Sequence, residues 1–235
     1  MQTFNFDPIG IVHSPYREKF GIPRQPGLVD VASTLELLSP YNRPEAVKGL
    51  EEFSHIWISF VFHALEQVKW RPTVRPPRLG GNSRVGVFAS RSTHRPNPLG
   101  LSVVALEGIE IGQHGVCLRL GAADLLDGTP VLDIKPYIPY VDSIHDARGG
   151  FAPEAPPRLE VHFLPEVAQA CRRLEGHYPG LERLIREVLA QDPRPAYQAG
   201  RNELREYGVA LYDLNVRFRI VQGGVEVTGV EPAPR

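Results

Sequence analysis

Three segments gather residues whose types suit a rigid pocket for a small polar molecule. The first is Pro23-Arg24-Gln25-Pro26-Gly27, the second runs from Gly86 to Ser102, and the third from Asp124 to Tyr137. Proline fixes local backbone shape and glycine lets a ligand approach closely, as a preformed site requires. Turn formation alone would account for any one segment taken singly. The commoner signatures of catalysis are missing. No GxGxxG follows a strand and no GxxxxGK(S/T) occurs, which disfavours a Rossmann or P-loop enzyme. The 8 histidines form neither HExxH nor a short HxH pair. His55 and His63 flank one apolar run and would stand about 26 Å apart along a strand, too far to share a zinc ion, so no metal is expected. There is no GxSxG elbow for a serine nucleophile. Cys117 and Cys171 lack CxxC spacing and read as packing residues in a reducing compartment.

Charge adds a second signal. The net charge is −1, yet no Asp or Glu occurs from Gln67 to Leu106, where Lys69, Arg71, Arg75, Arg78, Arg84, Arg91 and Arg95 give +7. A cationic segment in an otherwise acidic chain attracts phosphate backbones, and Arg can grip phosphate bidentately and stack on bases. A solvated, proline-spaced loop is the plainer alternative, since only four of the 26 basic residues are Lys.

The elements that must position these residues are mostly short strands. At 235 residues with 42% hydrophobic and 23% charged residues, the chain suits one large domain or a main domain with a smaller appendage. Strands are expected over Phe4–Val12, Ser33–Leu38, Phe53–Phe62, Val85–Ala89, Leu101–Ile111, Val116–Leu120 and Val131–Pro136, with a hairpin turn at Asp127-Gly128. The Phe53–Phe62 run has almost no polar face and reads as buried on both sides. These features predict a mainly β fold, an antiparallel barrel or sandwich. After Gly149-Gly150 the pattern changes to two helices, from Pro165 and near Pro179, followed by strands Val209–Val221 and Val225–Val230. The expected division is therefore 1–150 and 151–235, the second part a small α+β domain. The longest apolar run is far too short to cross a bilayer as a helix, and Met1 to Asp7 carries no secretory pattern, so a cytoplasmic location without membrane attachment is expected.

Arg95–Ser102 (RPNPLGLS), Asp124–Tyr137 (DLLDGTPVLDIKPY), Arg24–Gly27 (RQPG) and Arg186–Tyr197 (REVLAQDPRPAY) together closely resemble the TsaA-like family, and within it the bacterial TrmO tRNA methyltransferases. That resemblance implies a non-Rossmann N-terminal β-barrel and an S-adenosylmethionine pocket built partly at a homodimer interface. It implies methylation of N6 on threonylcarbamoyladenosine beside the anticodon of threonine tRNA. Carried over by motif, cofactor contacts fall at Gln25, Pro26, Gly27, His63, Ala64, Arg91, Leu101, Asp124, Leu125, Leu126 and Asp127. Asp124 and Asp127 would meet ribose hydroxyls or the cofactor amino group, or else cap turns. Arg91 would hold the methionyl carboxylate or a tRNA phosphate. Asn97, fixed between Pro96 and Pro98, would orient the pocket. Asp133, Lys135 and Tyr137 alternate along a strand and share a face, assigned to the substrate side or to ordinary surface pairing. Arg71, Arg75 and Arg78 would contact tRNA, and Asp192, Arg194 and Tyr197 the modified base. Asp192, Tyr197 and Asn97 are the candidate catalytic groups. The competing readings are an RNA-binding module without catalysis and a methyltransferase acting on a small molecule.

Overall fold

The computed structural model describes residues 2–64, 70–113, 115–194, 205–222 and 224–233. Its first strands are β1 (Gly10–His13), β2 (Ala32–Leu37), β3 (His55–Val61), β4 (Thr73–Val74), β5 (Val85–Gly86), β6 (Leu99–Gly112), β7 (Gly115–Gly121) and β8 (Pro130–Pro136). A short helix α1 (Pro139–Asp142) precedes β9 (Glu160–Phe163), helices α2 (Pro165–Leu174) and α3 (Leu181–Ala190), and strands β10 (Glu206–Leu211), β11 (Leu214–Val221) and β12 (Gly224–Pro232). The fold is mainly β, an antiparallel barrel followed by a smaller α+β region.

Six strands close the barrel in the order β1-β2-β7-β6-β3-β8, with β8 pairing back onto β1. On β3, Ile56, Ile58 and Phe60 point into a core shared with Val12, Leu35, Val104, Leu118 and Val131, while Trp57, Ser59 and Val61 keep partial exposure on the outer face. The run expected to be buried on both sides is therefore two-sided, because a barrel strand alternates between interior and exterior. Between β3 and β6 the cationic segment makes an excursion whose β4 and β5 pair as a two-stranded sheet.

Several elements depart from the sequence pattern for local reasons. The strand expected from Phe4 begins only at Gly10, since Pro8 has no N–H to give a ladder, and Phe4 and Phe6 are exposed. The one expected over Val85–Ala89 stops after two residues because Ser90 closes a 3₁₀ turn, its hydroxyl and its N–H both donating to the Val87 carbonyl. Asp127-Gly128 forms a turn with Gly128 at φ 76°, but not a hairpin: β7 pairs with β2 and β6, and β8 with β3 and β1. The turn instead carries the chain across the barrel end. The long strand expected over Val209–Val221 is a hairpin of β10 and β11, turning at Tyr212-Asp213 with Tyr212 at φ 54° and no glycine to signal it.

The second core lies between α2 and α3 and a sheet ordered β10-β11-β12-β9. On α3, Leu181, Leu184, Ile185, Val188 and Leu189 recur three and four apart, and all are buried. Residues from the first half enter this core. Tyr16 and Val29 are fully buried in it, and Phe20, Ile22, Val31 and Leu126 pack against it. The loop between β1 and β2 is bonded there as well: Tyr212 N–H donates to the Pro15 carbonyl (2.7 Å) and Ala210 N–H to the Glu18 carboxylate (2.9 Å). Among the described residues no helix is long and apolar enough to cross a membrane.

Candidate active site

A cleft of about 1000 Å³ opens over β3, β6 and β8. Register sets its floor: Ser59 stands between Leu101 on β6 and Asp133 on β8, and Val61 opposite Leu99. Because successive residues alternate across a strand, these side chains share the outer face of the barrel. Leu99 and Leu101 are exposed on it. The β1–β2 loop brings Ile22 to Gln25 to the rim, the segment before β6 brings Ser90, Arg91, Thr93 and Arg95, and the β7–β8 connection brings Asp124 to Leu126.

One polar group fixed within the cleft is Asp124. The Ser102 hydroxyl donates to its Oδ1 at 2.8 Å. Burial holds this carboxyl above the usual carboxylate range, partly offset by the Ser102 bond and by the nearby Arg91 charge. The Arg91 guanidinium donates to the side-chain oxygen of Gln25, joining two rim loops. A third joint comes from Gly27, whose φ of 79° suits glycine and whose N–H donates to the Ala122 carbonyl (2.9 Å).

The structure thus brings Gln25, His63, Ala64 and Arg91 together with Leu101, Asp124, Leu125 and Leu126 around one space. Pro26, Gly27 and Asp127 do not line it. The Asp127 carboxylate accepts the Ser14 N–H (3.0 Å) and pairs with Arg17, so it ties the turn to the end of β1. His63 sits beside that turn, its Nε2 3.7 Å from where a Cβ on Gly128 would lie. Asp133 lines the cleft and pairs with Lys135. Tyr137, two residues on, has its ring 6.1 Å from Trp57 and 6.3 Å from His55.

Other expected site residues lie apart. Asn97 is exposed outside the cleft lining, its carbonyl accepting the Leu99 N–H at 2.7 Å. Arg71, Arg75 and Arg78 are exposed on the excursion around β4, with the Arg78 guanidinium donating to the Glu154 carbonyl. Arg194, 5% exposed, grips Asp192 with two bonds of 2.8 Å. Its guanidinium is engaged with Asp192 inside the protein. The Asp192 carbonyl accepts the Arg24 guanidinium at 3.3 Å. Tyr197 lies outside the described residues. Among those residues, no group of three or more His, Cys, Asp and Glu could hold a metal ion.

Sequence reasoning missed Ser102 as the partner of Asp124, and the cleft walls made by Trp57, Ser59 and Phe60. Alternation along β6 could have indicated Ser102 as facing opposite to Leu101. No local signal pairs it with Asp124, 22 residues away.

Residues 11–143 match the family model for the tRNA-methyltransferase O N-terminal domain and residues 156–233 that for the TrmO C-terminal domain. The chain belongs to the TrmO family. It is 54% identical over 234 residues to the tRNA (adenine(37)-N6)-methyltransferase of Escherichia coli, covering 99% of this chain and 100% of that protein. It is 52% identical over 221 residues to a putative S-adenosylmethionine-dependent methyltransferase of Pseudomonas aeruginosa, covering 92% of each. A crystal structure of TrmO from P. aeruginosa superposes with a TM-score of 0.82 at 41% identity, covering 99% of both chains. The TrmO family match thus takes in both the barrel and the α+β region.

Proposed function

We propose that this protein transfers a methyl group from S-adenosylmethionine to N6 of adenine 37 in tRNA, as the named relative does. We further propose that the acceptor is threonylcarbamoyladenosine beside the anticodon of threonine tRNA. The observation that carries this reading is the cleft. It is large enough for a nucleoside-sized donor together with an incoming base, and it combines apolar walls with the carboxylates of Asp124 and Asp133 and the guanidiniums of Arg24, Arg91 and Arg95, of which Asp124 is held by Ser102 and Arg91 by Gln25. That donor set fits S-adenosylmethionine: a carboxylate for hydroxyl or amino groups, a guanidinium for a carboxylate, and Phe60, Leu99 and Leu125 for an apolar ring.

When bound, S-adenosylmethionine supplies an electrophilic methyl group on a sulfonium. The residues of the chain have to align the acceptor nitrogen with that methyl and exclude water. Alignment of this kind is worth on the order of 7 to 11 kcal/mol. Asp124, held by Ser102, and Arg91, held by Gln25, act as two fixed points about which a donor is oriented. Burial of Asp124 strengthens whatever bonds it accepts there. Asp127 contributes by fixing the turn with Arg17 and Ser14. In a threonylcarbamoyl adenine N6 belongs to a urea, and its N–H is correspondingly easier for a carboxylate to withdraw. Asp133, Lys135 and Tyr137 form the substrate side. Residues 1–150 hold the donor and 151–235 help to recognise tRNA, with Arg71, Arg75 and Arg78 meeting phosphates and Asp192 and Tyr197 near the base. Exposed Leu99, Leu101 and Phe6 beside the cleft support a homodimer in which a second copy covers this face. The working compartment is the cytoplasm, and no metal takes part.

The test is mass spectrometry of nucleosides after incubating the protein and S-adenosylmethionine with threonine tRNA that carries or lacks threonylcarbamoyl. A gain of one methyl only in the modified tRNA is expected. Methylation of unmodified tRNA to the same extent, or none in either, overturns the assignment.

A further inference from the structure

The loop that carries Gln25 is tied to the barrel half through Gln25–Arg91 and Gly27–Ala122, and its two flanks are held by the α+β half as well. Asp30, at its far end, donates its N–H to the Glu187 carboxylate on α3 at 2.6 Å, and its own carboxylate pairs with Arg183 one turn earlier. Arg183 also pairs with Glu187 at 3.3 Å, closing a three-residue clamp. Glu187 is largely withdrawn from solvent, its side chain 17% exposed. Beyond α3 the anchoring continues. Gln191 donates to the Leu28 carbonyl (3.4 Å), and Arg24, adjacent to Gln25, reaches the Asp192 carbonyl. The Asp192 backbone sits at φ 46°, a conformation that the buried Arg194 pair holds in place.

We infer that the α3 clamp of Arg183 and Glu187, with the Asp192–Arg194 pair behind it, positions the Gln25 wall of the cleft and so sets affinity for the methyl donor. The α+β half is then part of the donor site and not only a tRNA-binding appendage. The physical reason is entropy. The loop from Ser14 to Val31 has no regular strand, and a donor binding to an unanchored loop would have to order it. With the clamp in place the ordering is complete before the donor arrives. Gln25 and its partner Arg91 then meet across the cleft without rearrangement. Glu187 and Arg183 touch neither donor nor acceptor and are positioning residues.

This inference rests on the donor occupying the cleft, and the experiment separates the two claims. Donor binding to the full chain is measured by calorimetry, and KM for S-adenosylmethionine, KM for tRNA and kcat by methyl incorporation. The variants are Glu187→Ala, Glu187→Gln, Arg24→Ala and Asp124→Ala, with Glu182→Ala as a control whose partner Arg186 faces β9. Removing Glu187 leaves the Asp30 N–H without its acceptor and Arg183 with the Asp30 carboxylate alone. Glu187→Ala is expected to raise KM and Kd for the donor about tenfold, equivalent to about 1.4 kcal/mol, with kcat at saturating donor and KM for tRNA little changed. Glu187→Gln, which keeps an acceptor for Asp30, should recover part of the loss, and Arg24→Ala should show a smaller shift in the same direction. Glu182→Ala should match the parent. Parent-like donor affinity in both Glu187→Ala and Arg24→Ala, with Asp124→Ala impaired, overturns the inference and leaves the cleft assignment standing. Loss of kcat in Glu187→Ala with an unmoved donor KM also overturns it. Should the parent bind no donor, or Asp124→Ala bind it normally, the reading of the cleft fails and the inference falls with it.

Discussion

Gly100 offers the sharpest probe of how the barrel shapes the cleft. It stands opposite Phe60 in the β3–β6 register, and a Cβ placed on it would lie 2.2 Å from the Phe60 ring, with two further ring carbons at 2.4 and 2.7 Å. Ordinary contact begins at 3.4 Å, so in Gly100→Ala the ring must retreat by about 1.2 Å. The ring is 6% exposed and meets Phe62 edge-on at 5.2 Å, which leaves the cleft itself as the open direction. Overpacking of this kind costs roughly 1 to 3 kcal/mol, or about 4 to 8 °C in Tm for a cost near 2 kcal/mol in a chain of this size. Donor affinity should fall in parallel, as the displaced ring takes up ligand space. Adding Phe60→Leu to Gly100→Ala should restore part of both, since a shorter side chain removes the clash. Thermal melts and calorimetry on the parent, both single variants and the double variant form a complete cycle. A Gly100→Ala protein with parent-like Tm and donor affinity, or a double variant no better than Gly100→Ala, refutes the reasoning.

Asp124→Asn should separate stability from function. Burial raises the Asp124 pKa in the native state, so the ionised carboxylate is favoured in the unfolded chain. The native state gains from its protonated form at low pH and loses that gain as pH rises through the unfolded and then the native pKa. The asparagine variant should therefore melt higher than the parent at neutral pH, with the gap closing as pH falls toward 3.8, the ordinary carboxyl value, while donor affinity drops. A lower Tm at neutral pH would contradict this assignment of cause. A fragment ending at residue 150 should aggregate, because it uncovers Tyr16, Val29, Phe20, Ile22 and Leu126. Gel filtration showing a monodisperse fragment with parent-like donor affinity would count against the shared second core.

Local chemistry in the sequence determined the elements with a strong period or a strong stop. The apolar spacing of α3 from Leu181 to Leu189 marks one buried face whatever lies against it, and the Pro- and Gly-bounded runs around Val116–Leu120 and Val131–Pro136 are strands. The three pocket segments were also legible, because prolines and glycines carry their backbone restrictions with them. Only tertiary structure decided which of those residues meet. Ser102 reaches Asp124, Gly100 yields to Phe60, and Asp127 turns from the cleft toward Arg17, all through the closed strand order β1-β2-β7-β6-β3-β8 and not through proximity in the chain. The sidedness of Ile56–Val61 came from barrel closure, since an apolar run does not record which face will be inside. The anchoring of Asp30 to Glu187 spans 157 residues, and no window along the chain is long enough to reveal it.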